Sequence, residues 1–66
     1  MEVTINGEVR VVPDGVNVAG LLKALGIEGE GVAVELDRMI VRRTAWDERV
    51  LAPGAKLEIV HFVGGG

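Results

Sequence analysis

The sequence predicts a small α+β domain, a mixed sheet of four to five strands with one main helix packed on one face. Three observations point there. A hairpin signature centres on Asn6-Gly7, a single helical stripe of apolar residues follows, and the most hydrophobic strand, Leu57 to Val63, runs straight into Gly64-Gly65-Gly66. At 66 residues the chain holds one hydrophobic core, since a domain this small buries only about 60% of its unfolded surface. The reading is a folded domain over residues 1–63 and a flexible glycine tail over 64–66.

In the first element Val3 and Ile5 alternate with Glu2, Thr4 and Asn6. Asn-Gly suits a two-residue turn because both positions must tolerate positive φ. On the return strand Val9 and Val11 alternate with Glu8, Arg10 and Val12, and Pro13-Asp14-Gly15 ends it. Asn17 then stands as an N-cap. Val18, Leu21, Leu22 and Leu25 follow at the i, i+3, i+4, i+7 spacing of one helix face. Gly26 occupies the position just past the helix end. Gly20, unfavourable in mid-helix, is expected to let the helix approach the sheet.

Residues 28–31 read as a loop and Val32 to Leu36 as the third strand. Asp37-Arg38 is a turn, and Met39 to Val41 a short fourth strand. Arg43 to Asp47 reads as one helical turn, with Thr44 as its cap and Trp46 plugging the core beneath it. Val50-Leu51 is an apolar anchor and Pro53-Gly54 the last turn. A helix placed between a hairpin and later strands needs a sheet face to cover. One compact solution sets the last strand in the middle, beside the first and parallel to it, with a right-handed crossover. That is the β-grasp architecture.

Composition removes several function classes. A net charge of −3 argues against phosphate-dominated nucleic-acid binding, which needs a basic face. Without cysteine there is no disulfide framework, no thiolate metal site and no cysteine nucleophile. Serine is absent as well, and no metal-ligand spacing occurs among Glu28, Glu30, Glu35, Asp47 and Glu48. No apolar run approaches the roughly 20 residues that span a bilayer. Met1-Glu2 leads directly into a strand pattern rather than a signal peptide, so the cytoplasm is the expected compartment.

Four stretches resemble the ThiS family of ubiquitin-like sulfur carriers, within the MoaD/ThiS superfamily. They are Val12-Pro13-Asp14-Gly15-Val16-Asn17-Val18-Ala19-Gly20-Leu21-Leu22, Gly31-Val32-Ala33-Val34-Glu35-Leu36, Val41-Arg42-Arg43-Thr44-Ala45-Trp46, and Leu57 through Gly66. The third resembles a segment usually reading Val-Pro-Arg-x-x-Trp; here Arg42 stands in place of the proline. Asp37-Arg38 likewise replaces an Asn-Gly turn, and Ala55-Lys56 a Gly-Asp-x pattern. The resemblance implies a ubiquitin-like β-grasp and a protein that is not an enzyme but a co-substrate. Its terminal glycine, Gly66, would be adenylated with ATP on a ThiF- or E1-like adenylating enzyme. It would then be converted to a thiocarboxylate by a sulfur donor such as a cysteine desulfurase system. The thiocarboxylate would give sulfur to a ThiG-like thiazole synthase for thiamine biosynthesis. No bound cofactor, metal, nucleic acid or membrane is implied, and the free protein would be a monomer. Related roles are sulfur carriage for molybdopterin or for cysteine and methionine synthesis, or attachment to proteins as a ubiquitin-like modifier. An inert-tail interaction module is the remaining class.

Access is the demand on such a tail. Gly64 and Gly65 lack Cβ atoms and so can thread a narrow active-site channel. Strand alternation puts Leu57, Ile59, His61 and Val63 on one face and Glu58, Val60 and Phe62 on the other. With Leu57 and Ile59 in the core, Val60 and Phe62 are left on the open face as candidate docking residues, and Val63 leads into the tail. Arg42 and Arg43 are candidates for pairing with acidic groups of a partner. His61, the one histidine, is read as structural.

Overall fold

The computed structural model of the protein describes residues 1–62. Its elements are β1 (Glu2–Ile5), β2 (Glu8–Val11), α1 (Val18–Ala24), β3 (Val32–Leu36), β4 (Met39–Val41), a 3₁₀ turn (Arg43–Ala45) and β5 (Lys56–His61). The sheet order is β2-β1-β5-β3-β4. β5 lies parallel to β1 and antiparallel to β3. The expected β-grasp is therefore present, with the last strand at the centre.

Asn6 and Gly7 both have positive φ, 49° and 83°, the signature of the two-residue turn matched to strand twist. A two-residue turn makes Ile5 face Glu8 and Val3 face Arg10. Val3 and Ile5 are buried under the helix, so Val9 and Val11 must point to the opposite face, where both are exposed.

The helix start is assembled from three sources. Orphan donors at the first three helical positions need partners. Val18 N–H donates to the Arg49 carbonyl at 2.9 Å and Ala19 N–H to the Trp46 carbonyl at 3.1 Å. Gly20 N–H donates to Asn17 Oδ1 at 2.7 Å, confirming the N-cap. The Asn17 amide in turn donates to the Asp47 carbonyl at 3.1 Å. Residues 46–51 are thus fitted to the helix N-terminus. A Cβ on Gly20 would lie 3.0 Å from Asn17 Oδ1. The glycine makes room for the cap, and the expected approach to the sheet is not its role.

At the other end the Gly26 N–H donates to the Lys23 carbonyl and the Ile27 N–H to the Leu22 carbonyl. With Gly26 at φ 72°, these bonds form a Schellman motif. Val18, Leu21 and Leu22 pack against Val3, Val34 and Leu57 in the core, and Leu25 is half-buried at its rim.

The 3₁₀ turn begins after Arg42, and no side chain caps it, so Thr44 is not the expected cap. Leu51 is buried but Val50 is exposed, so only one half of that pair anchors. Trp46 is half-buried against the core rather than plugging it. Its Nε1 donates to the Val41 carbonyl at 2.9 Å, which holds the ring at the rim.

Candidate functional site

The candidate site is the end of β5, where the chain leaves the sheet. Val63, Gly64, Gly65 and Gly66 lie outside the described residues.

β5 is gripped from both sides. Toward β1, the Thr4 N–H donates to the Ala55 carbonyl and the Asn6 N–H to the Leu57 carbonyl. Beyond that point β1 has turned away, and the Asn6 side chain takes over its backbone role. Its Nδ2 donates to the Ile59 carbonyl at 3.0 Å, and its Oδ1 accepts from the Ile59 N–H at 2.8 Å. On the other side β3 pairs along Leu36↔Leu57 through Val32↔His61. One further rung forms past both strands, from the Phe62 N–H to the Gly31 carbonyl at 2.8 Å.

The open face carries the expected pair. Val60 is 47% exposed and Phe62 66%. Ala33 lies across from Val60, and Ile40, 78% exposed, lies on the same face through its pairing with Glu35. A hollow of about 140 Å³ is lined by Ala33, Val34, Glu35, Ile40, Glu58 and Val60. A second, of about 390 Å³, continues toward the start of β5 between Glu35, Asp37, Arg38, Lys56 and Glu58. The open face is therefore apolar at the end nearest the tail and charged farther back. Exposed apolar side chains grouped on one face are what a docking surface requires.

His61 is exposed. It falls on the Leu57–Ile59 side of β5, but it lies past the end of β1 and outside the cluster that covers Ile59. Arg42 and Arg43 do not act alike. Arg42 is exposed and has no ion pair among the described residues. The Arg43 guanidinium stands 4.7 Å from the Trp46 ring centroid and donates to the Gly29 carbonyl, so it is committed within the molecule.

Three participants lay outside the sequence reading. Ile40 was within reach of it, since a two-residue Asp37-Arg38 turn pairs Ile40 with Glu35 and sets both on the open face. The bonds of the Asn6 side chain bridge 53 residues of sequence, and no local signal announces them. Gly31 carried a faint signal, a glycine immediately before a strand. No helix among the described residues is long and apolar enough to cross a membrane.

Residues 2–66 match the model of the ThiS family. The whole chain is 39% identical to a thiazole synthase of Magnetococcus marinus and 41% identical to a thiazole synthase of Paramagnetospirillum magneticum. It spans 20% of the length of each. Among solved structures, the crystal structure of a thiamine biosynthesis protein (ThiS) from Geobacter metallireducens superposes with a TM-score of 0.85 at 36% identity, covering all of both chains. The solution structure of a thiamine biosynthesis protein from the same organism gives 0.84 at 36% identity, over 100% of this chain and 88% of that one.

Proposed function

Because the chain belongs to the ThiS family, we propose that it is a sulfur carrier whose Gly66 receives and delivers sulfur for thiazole formation in thiamine biosynthesis. The observation that carries this reading is the placement of β5. The central strand, held by β1, Asn6 and β3, leads directly toward Gly64-Gly65-Gly66 and bears exposed Val60 and Phe62 just before them.

A carboxylate is a poor electrophile. A Gly66 carboxylate oxygen would attack the α-phosphorus of ATP on an adenylating, ThiF- or E1-like enzyme, with pyrophosphate leaving. The terminal sulfur of a persulfide, supplied by a donor such as a cysteine desulfurase system, would then attack the acyl carbon and release AMP. Cleavage of the remaining S–S bond by a thiol would leave the thiocarboxylate. The protein's own part is to dock and to present its end. Val60, Phe62 and Val63 would meet the partner while Gly64 and Gly65 thread its channel, and the rigid sheet would offset the ordering cost of the tail. The likeness to two much longer thiazole synthases supports a ThiG-like synthase as the acceptor. Dependence on ATP supports a cytoplasmic setting. No cofactor of its own enters the scheme, and the protein is a co-substrate, not an enzyme.

The test is the intact mass after incubation with ATP, the host's adenylating enzyme and a sulfur donor. The expected result is an increase equal to replacement of one oxygen by sulfur, mapped to Gly66. A chain lacking Gly66 should melt as the full chain does and gain no sulfur. An unchanged mass of the full chain, with the enzyme active on another carrier, would rule the reading out.

A further inference from the structure

We infer that Arg43 and Gly31 are positioning residues for the chain end, fixing the peptide at Phe62 from which the tail continues. The inference rests on the reading of Gly66 as the activated residue.

Gly31 touches Phe62 on both of its peptide groups. Its carbonyl accepts the Phe62 N–H at 2.8 Å. A Cβ built on Gly31 would stand 2.7 Å from the Phe62 carbonyl oxygen and 3.5 Å from the Phe62 Cβ. The carbon of that carbonyl is bonded to the nitrogen of residue 63, so its orientation sets the direction in which the chain proceeds. Gly31 also has φ 79°, which L side chains rarely adopt. Any other residue here must turn the Phe62 peptide or move the loop.

The loop itself needs a tether. Residues 28–31 contain two glycines with positive φ, Gly29 and Gly31. A guanidinium–carbonyl bond from Arg43 reaches the middle of this loop. Arg43 is oriented by the face of Trp46 at 4.7 Å, a cation–π arrangement. Trp46 is fixed by its bond to the Val41 carbonyl and by packing on the core. A continuous path therefore runs from the core through Trp46, Arg43, Gly29 and Gly31 to Phe62. It gives the Arg-x-x-Trp spacing a physical purpose, since residues three apart on a helical turn share a face. Docking residues Val60 and Phe62 set where the protein binds; this path sets where its end points.

Reaction geometry is sensitive to such pointing, because a displacement of about 1 Å at a reacting group costs on the order of 100-fold in rate. The test uses the full chain as Arg43→Ala, Arg43→Lys and Gly31→Ala. Amide exchange at Phe62 is one readout. The other is the rate of ATP-dependent acyl-adenylate formation, followed by pyrophosphate release with the adenylating enzyme. For Arg43→Ala, Phe62 exchange should rise on the order of 5-fold, the loss of about one hydrogen bond's worth of local stability. Exchange at core residues Leu21 and Leu57 should be unchanged. The kcat should fall on the order of 10-fold or more at nearly constant KM. Arg43→Lys, which can still donate to the Gly29 carbonyl, should recover part of both. Gly31→Ala should show the larger kcat loss; if it does not fold, Arg43→Ala alone decides.

Unchanged Phe62 exchange in Arg43→Ala overturns the inference. So does a faster-exchanging Phe62 with wild-type kcat, or a rise in KM alone, which would make Arg43 a docking contact. Failure of the unmutated chain to release pyrophosphate would count against the proposed function instead, and the exchange data would still decide whether Arg43 holds Phe62.

Discussion

Asn6 is the residue on which two levels of structure meet. Its backbone, at φ 49°, forms half of the hairpin turn, and its side chain makes two hydrogen bonds to Ile59. Replacing it by alanine removes both bonds and puts a residue with a Cβ but no local polar compensation in a left-handed conformation. The expected loss is about 2–3 kcal/mol. Asn6→Gly retains the turn geometry and should lose only the bonds to Ile59, so it should be the milder variant. Urea denaturation of the two measures each contribution. Equal midpoints would mean that the side-chain bonds carry the whole effect. Phe62 illustrates the opposite balance, a large apolar side chain 66% exposed and therefore nearly free of folding duty. Phe62→Ala should leave the melting temperature within a few degrees. It should weaken binding to the adenylating enzyme on the order of 10-fold or more if Phe62 anchors the interface, as isothermal titration would show. Undiminished affinity would remove Phe62 from the docking surface.

At the scale of elements, the two hairpins are built alike but from different residues. Asn6-Gly7 suits its turn, whereas Asp37-Arg38 places two non-glycine residues at φ 47° and 72°. Asp37 is compensated, because its Oδ1 accepts the Lys56 N–H at 3.0 Å and its own N–H donates to the Lys56 carbonyl at 2.8 Å. Arg38 makes no such bond among the described residues. Left-handed backbone costs a non-glycine residue roughly 1–2 kcal/mol, partly offset by the greater entropy glycine brings to the unfolded chain. Arg38→Gly should therefore stabilise the protein by about 0.5–1 kcal/mol, visible as a higher denaturation midpoint at unchanged m-value. A lower midpoint would show that the Arg38 side chain does stabilising work on the charged part of the open face. The same two turns fix register on both outer strands, and so decide that Val9, Val11 and Ile40 face away from the helix.

For the whole molecule, one short helix covers one side of a five-stranded sheet. That asymmetry is the basis of function in the proposed reading. One face is consumed by the core of Val3, Leu21, Val34 and Leu57, and the other is free to meet partners. The last described residues continue from the central strand, which β1 and the Asn6 side chain hold on one side as far as Ile59 and which β3 and Gly31 hold on the other as far as Phe62. The mass change at Gly66 and the Phe62 exchange rate test the two halves of this arrangement, the chemistry of the end and the stiffness of its base.

Most of the architecture was legible in the sequence because it is written in local signals. The Asn-Gly turn, the helical stripe with Asn17 before it and Gly26 after it, and the alternation of the last strand each depend on neighbours a few residues apart. Together with the crossover rule they determined a β-grasp with its last strand central, and left Val60 and Phe62 on the open face. Tertiary structure decided what depends on residues far apart in the chain. Two donors of the helix N-terminus, the Val18 and Ala19 N–H groups, find their acceptors at Arg49 and Trp46, some thirty residues away, and no local signal announces them. Arg43 read as a candidate for pairing with acidic groups of a partner until the fold brought the Gly29 carbonyl to it. Asn6 and Gly31 hold β5 at Ile59 and Phe62 only because the sheet sets distant segments side by side, and hydrogen bonds between such segments leave no periodicity in a sequence.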